Sequence, residues 1–260
     1  MKDIQNLKDE RGIRINEVGI IDLKIPFFIK SGKSKQQIIT DVKMAVNLFA
    51  DTRGVHMSRF VEIAEKMRNL ELNDALILKS LGKMKKKLGV DYAKIEFSFV
   101  YFLKKKAPVS RKNCTTDYNC KIVSELGKNG LRHNYFEVKV PVSMLCPCSK
   151  AISKYGAHNQ RANILFRIKT KQYFIIDEII KKIEDKSSGE LFSVLKRVDE
   201  KHVTEKMYEN PKFVEDVVRD IALWAINDKR ITDFIVECKS YESIHNHNAY
   251  AIIINDETKC

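Results

Sequence analysis

Long apolar runs are missing from this 260-residue chain. Its longest, such as Phe99 to Leu103 and Ala249 to Ile254, fall far short of the ~20 residues a bilayer-spanning helix needs. Met1 to Glu10 carries acids and amides where a secretion signal is apolar, so a cytoplasmic address with no membrane partner is expected. Glycine and proline are scarce, at 10 and 5 residues, which excludes collagen-like and low-complexity chains. There are six cysteines (Cys114, Cys120, Cys146, Cys148, Cys238 and Cys260), but with no export signal an even count is weak evidence for bridges. Reduced thiols are expected, any special one serving as ligand or nucleophile. Acidic residues are the minority charge, 34 against 47 Lys and Arg, and the formal +13 favours an anionic partner: nucleic acid, a membrane surface or a phosphorylated small molecule. The basic runs Lys83 to Lys87, Lys104 to Lys106 and Lys181 to Lys182 lack interleaved aromatics for stacking bases, and read as solvated faces.

What is present is globular. Hydrophobic residues make up 44% and charged residues 31%, and at ~150 residues per domain the length allows one to two units with a full core. Gly19 to Ile29 and Gln36 to Phe49 read as strands joined by a turn at Ser31 to Ser34. Met57 to Leu70 and Asn73 to Leu88 carry helical spacing, through Phe60, Ile63, Ala64 and Met67 and then Leu76, Leu78, Leu81 and Met84. Ala93 to Leu103 and Thr115 to Leu126 are β-branched or alternating strand candidates. The second half repeats the order: strands at Arg132 to Leu145 and Asn159 to Lys169, helices at Phe174 to Ile183 and Pro211 to Asn227, and strands at Ile231 to Cys238 and Ala249 to Ile254. Asn210 and Pro211 suit the cap and first position of the second helix. The expectation is α+β: a duplicated ββααββ unit, residues 1–130 and 131–260, each with a mostly antiparallel sheet and its helices on one face.

Reactive residue types are densest in Leu145-Cys146-Pro147-Cys148-Ser149-Lys150, followed by Gly156-Ala157-His158-Asn159-Gln160-Arg161. One residue between Cys146 and Cys148 is tighter than zinc-clamping pairs, which have two to four, so the two are not expected to share a metal. One thiolate at the strand end after Leu145 and His158 at the start of the next strand would instead reach one point, half of a divalent-metal site. Spacing alone equally fits small buried cysteines and a hydrogen-bonded turn histidine. His245 and His247 share a face if their segment is extended, though an ordinary polar turn before the last strand fits too. Glu200 and Glu215 are the acidic candidates, the latter also explicable as a helix-dipole partner. In Gly54 to Phe60, Ser58, Arg59 and backbone N–H groups sit where a phosphate could bind, or where a plain helix starts.

At these residues the chain resembles the type IB GTP cyclohydrolases, which open the guanine ring of GTP at the head of folate synthesis. The resemblance spans nearly the whole chain and rests on Asp3-Ile4-Gln5-Asn6 with Arg11-Gly12, on GVHMSRF from Gly54, LCPCSK from Leu145, GAHNQR from Gly156 and ESIHNH from Glu242. It implies the tunnelling fold, two ββααββ units per subunit in a homotetramer. It further implies a metal-associated catalytic Cys146 with His158 and Glu200 as companion ligands, His245 as a further ligand or proton-transfer group, and Glu215 accepting two N–H bonds from the guanine edge. Arg59 and Arg161, on charge and membership of these motifs, and His247, beside His245 in the last of them, are the candidate substrate contacts. The implied cofactor is one divalent ion, Mn2+, Fe2+ or Zn2+, the donor types accepting any of them. Water activated by that ion would add at C8; formate release and ring rearrangement would then give 7,8-dihydroneopterin triphosphate. Rival expectations are an archaeal-type relative giving a cyclic phosphate, another tunnelling-fold enzyme acting on a pterin or deazapurine, and a basic nucleic-acid-binding protein.

Overall fold

The computed structural model describes residues 5, 7–32, 34–170 and 176–255. Asp3, Ile4 and Asn6 of the opening motif, Phe174 and Ile175 of the expected helix, and Cys260 lie outside the described residues. Eight strands follow sequence order in one sheet, β1 to β8, and the described strand registers are antiparallel. Two compact units divide the chain, residues 1–100 with 121–136, and 101–120 with 137–260.

In the first unit, β1 (Ile15–Ser31) and β2 (Ser34–Leu48) form a hairpin closed by the Ser31–Ser34 pair, and β3 starts at Ala93 beside β2. Alternation does the sorting: Ile25, Phe27 and Ile29 on β1 and Ile95, Phe97 and Phe99 on β3 are all buried. Phe27 and Phe97 meet edge to face at 5.5 Å. Gly19 sits where β1 presses on β2, and a Cβ there would lie 1.9 Å from the Met44 carbonyl oxygen, so no side chain fits. The helices α1 (Met57–Glu65) and α2 (Asp74–Leu88) bury Phe60, Ile63 and Ala64, and Ile77, Leu81 and Met84. Asn73 caps α2 by accepting from the Leu76 N–H. Of the leucines expected to face inward, Leu78 is exposed and Ile77 takes its place.

The second unit holds β6 (Asn159–Thr170), β7 (Ile231–Ser240) and β8 (Ala249–Asn255), with α6 (Val214–Asn227) packed on β7 and β8. Ile164, Phe166 and Ile168 alternate inward on β6, as do Phe234, Val236 and Cys238 on β7. Phe166 touches both Trp224 of α6, at 5.4 Å, and Phe234, at 6.3 Å. The same unit holds a buried ionic cluster: Lys105 Nζ donates to both Glu184 oxygens, at 2.9 and 3.0 Å, and Tyr118 donates to Glu184 at 2.7 Å.

The first six elements, with β3 spanning Ala93–Lys106 and β4 Asn113–Leu126, run strand, strand, helix, helix, strand, strand. The second half carries more helix than a bare ββααββ unit. A short α3 (Pro147–Ile152) lies between β5 (Arg132–Leu145) and β6, and three helices, α4 (Ile176–Glu184), α5 (Arg197–Glu209) and α6, lie between β6 and β7. Asn210 is not the cap of α6. It ends α5, its N–H returning to the Lys206 and Met207 carbonyls, while Asp216 accepts from Phe213 N–H, the residue that does precede α6. Asn210 and Pro211 follow a helix whose amphipathic signal is too weak to read, so the start signal was really a stop. Among the described residues no helix is long and apolar enough to cross a membrane.

Candidate active site

Strand β5 delivers Leu145 to a junction held from three sides. Ser143 and Gly189 exchange backbone bonds at 2.8 and 3.1 Å, Leu145 N–H donates to Ser188 Oγ at 3.2 Å, and Lys212 N–H donates to the Leu145 carbonyl at 3.1 Å. A Cβ on Gly189 would fall 2.7 Å from Met207 Cγ, so the loop approaches this closely because it has no side chain there. Cys146 follows as the cap of α3: its backbone is extended, Pro147 begins the helix, and its sulfur accepts from Ser149 N–H at 3.4 Å. The chain then turns back so that Cys146 N–H donates to the His158 carbonyl at 3.2 Å, and His158 N–H donates to Ser149 Oγ at 3.2 Å. Thiol and imidazole therefore rise from neighbouring backbone positions. Cys148 is exposed, and five cysteines among the described residues are unbridged.

The imidazole of His158 is held in turn. Its Nδ1 lies 2.9 Å from Gln160 Oε1 and 3.5 Å from Ser243 Oγ. Gln160 Nε2 reaches Ser240 Oγ and Glu242 Oε1, both at 3.2 Å, and Ser240 Oγ donates to the same Glu242 oxygen at 2.8 Å. The pairing of β6 with β7 produces this: Ala162 faces Ser240 and Tyr241 N–H donates to the Arg161 carbonyl, so continuing the register brings Gln160 opposite Glu242. Sequence reasoning missed Gln160, Ser240 and Glu242 as members of the site. Gln160 stands two residues beyond His158 at the start of a strand, the spacing that shares a face, and that signal was readable.

The other candidates are placed as follows. His245 and His247 lie in the exposed segment between β7 and β8, their rings stacked at 5.0 Å. Glu200 is exposed in the first turn of α5, beside Asp199, whose buried carboxylate accepts from Val109 and Ser110 N–H, Ser110 Oγ and Lys196 N–H at 2.6 to 2.9 Å. Burial pushes the Asp199 carboxyl up, but those bonds together overcome it and hold the group well below the usual carboxylate range. Glu215 is exposed in the first turn of α6. Its charge, after burial and Glu237, helps push the Cys238 thiol up to about 12. Arg161 is exposed on β6. Arg59 belongs to the first unit, where its Nη1 donates to the Lys87 carbonyl at 3.0 Å and it lines a small hollow with Gly54, His56 and Leu88.

A soft thiolate and a neutral imidazole suit two positions around a divalent ion, and engagement of His158 Nδ1 leaves Nε2, a usual ligating nitrogen, without a hydrogen-bond partner among the described residues. No three His, Cys, Asp or Glu side chains among the described residues are gathered closely enough to hold an ion by themselves. The pair fits a metal; Glu200 and His245 do not converge with it.

A family profile described as type I GTP cyclohydrolase folE2 matches residues 1–251. The chain belongs to this family. Among similar relatives, GTP cyclohydrolase FolE2 of Thermosipho melanesiensis is 48% identical over 254 residues, covering 97% of each chain. That of Neisseria gonorrhoeae is 44% identical over 251 residues, covering 96% of this family member and 97% of its own length. Solved structures with a similar fold include urate oxidase from Bacillus subtilis 168, with a TM-score of 0.50 at 6% identity over 94% of this chain and 100% of that one. A mutant of Bacillus sp. TB-90 urate oxidase has a TM-score of 0.50 at 7% identity, covering 93% and 100%. These neighbours are tunnelling-fold proteins, and at such identities the likeness concerns the fold alone.

Proposed function

We propose that this chain is a metal-dependent GTP cyclohydrolase of the type IB class, converting GTP to formate and 7,8-dihydroneopterin triphosphate as the first step of folate biosynthesis. Membership of the GTP cyclohydrolase folE2 family supports the activity. The observation that carries the chemistry is the backbone bond joining Cys146 to His158, which brings together the stretches of chain that bear the thiol and the imidazole.

In this reading Cys146 and His158 are the pair that holds one Mn2+, Fe2+ or Zn2+ ion, and Glu200 and His245, which do not stand with that pair in the single subunit, would join it only in the assembled, metal-loaded enzyme. When bound, such an ion acidifies water so that a nucleophile exists near neutral pH. The chain's own residues do the rest. Glu215 accepts two N–H bonds from the guanine edge, paired acceptance that adenine, with a different donor pattern there, cannot match. Arg59, Arg161 and His247 contact the substrate, the two guanidiniums taking phosphate oxygens. His245 and Cys146 move protons as formate leaves and the ring is rebuilt. The subunit is read as two tandem tunnelling-fold halves, 1–130 and 131–260, assembled into a homotetramer in the cytoplasm, with GTP as small-molecule partner and neither nucleic acid nor membrane bound.

The test incubates the purified chain with GTP and each divalent ion in turn, follows pterin fluorescence after oxidation, and weighs the product. Dihydroneopterin triphosphate is expected only with metal present. A cyclic phosphate product would replace the stated one, and unchanged GTP with every ion would end the reading.

A further inference from the structure

Gln160 has an amide whose two ends look alike in shape and differ in chemistry, and its surroundings decide which way it points. On one side are Ser240 Oγ and Glu242 Oε1, each 3.2 Å from one amide atom; on the other is His158 Nδ1, 2.9 Å away. A carboxylate offers only lone pairs, and the Ser240 hydroxyl proton is already committed to Glu242 at 2.8 Å. The atom facing them must therefore be the NH2 donor. Turned the other way, the amide oxygen would face a carboxylate oxygen and a hydroxyl oxygen with no proton to share. With the NH2 fixed there, the amide oxygen faces His158, and an oxygen that only accepts requires a proton on Nδ1.

We infer that Gln160 is a positioning residue that locks His158 in the Nδ1–H tautomer, leaving the Nε2 lone pair free for a divalent cation. The direction of control runs from Glu242 and Ser240 through the amide to the imidazole, and each link is a hydrogen bond between side chains of one unit. Ser243 Oγ, 3.5 Å from Nδ1, is a second and longer neighbour that a hydroxyl rotor satisfies as acceptor. Ser240 is buried, and Gln160 and Glu242 are half-buried beside it. The consequence for metal binding rests on the proposed function; the tautomer does not.

The test uses metal-free full-length protein labelled with 15N-histidine, studied by magic-angle-spinning NMR at about pH 8.5, well above the unperturbed imidazole pKa of about 6.5. His158 is identified as the signal lost in H158Q. The wild-type ring is expected to show a protonated Nδ1 and a bare Nε2, and Gln160→Leu to move the proton to Nε2. Zn2+ affinity by chelator competition is expected to fall about ten- to a hundredfold in Gln160→Leu, the usual effect of removing a ligand's outer hydrogen-bond partner. A wild-type His158 protonated on Nε2 overturns the inference without any variant, as does a folded Gln160→Leu with an unchanged ring. Wild-type protein that takes up no Zn2+ would count against the metal reading alone, since the 15N spectra still decide the tautomer.

Discussion

At the scale of single residues, Cys146 carries two separable jobs, because its sulfur caps α3 while its thiol is the group proposed for chemistry. Serine is a better cap than cysteine but a poor soft ligand. Cys146→Ser is therefore expected to keep thermal stability within about 0.5 kcal/mol of wild type while GTP turnover falls by about a hundredfold or more; calorimetry and the pterin assay on the same sample check both. Two glycines give a second contrast. A methyl on Gly19 would meet Met44 backbone at 1.9 Å, and one on Gly54 nothing nearer than Gln5 Cγ at 3.7 Å. Gly19→Ala should cost at least the ~1–3 kcal/mol of an overpacked core, and Gly54→Ala well under ~1 kcal/mol, by urea midpoint.

At the scale of elements, β7 contributes a titration of its own. The Cys238 thiol, pushed up from 9.0 to about 12 chiefly by burial, stays neutral in the fold while the unfolded chain's thiol ionises. A raised folded value means the stabilisation is complete below the ordinary thiol pKa and is lost as pH rises from about 9 toward about 12. Between about pH 8 and pH 10.5 the wild-type urea midpoint should drop more than that of Cys238→Ala, whose curve lacks this group; parallel curves would contradict it. The helices differ in how plainly they announce themselves. α4 buries Ile176, Ile179, Ile180 and Ile183 in a legible stripe. In α5 the buried side chains are Asp199 and Met207, because the helix is fixed by a carboxylate bonded to the Ser110 turn rather than by an apolar face. Periodicity has nothing to detect there, which is why Asn210 looks from sequence like a beginning.

For the whole molecule, the charge of +13 bears on how an anionic substrate arrives. Raising ionic strength from about 0.05 to about 0.3 M shrinks the screening length, and kcat/KM for GTP is expected to fall several-fold while kcat changes little. Steady-state kinetics across that range checks it. The proposed homotetramer is checked by light scattering, which should return four times the 30.1 kDa subunit mass.

Alternation along the chain was enough to place the strands: β5 runs over Arg132–Leu145 as read, and Phe166 and Val236 are buried while the residues on either side of each are only half-buried. The local placement was likewise legible, since Cys146 directly follows β5 and His158 directly precedes β6, where one backbone bond joins them. What the Gln160 amide faces was not, because Ser240 and Glu242 lie about eighty residues away and meet it only through the pairing of β6 with β7. The turn around Asp199 is of the same kind, joining Ser110 to a carboxylate 89 positions on. A pattern of side-chain types reports which surfaces must be buried; which donor finds which acceptor depends on strand register and loop closure, and those exist only once the chain has folded.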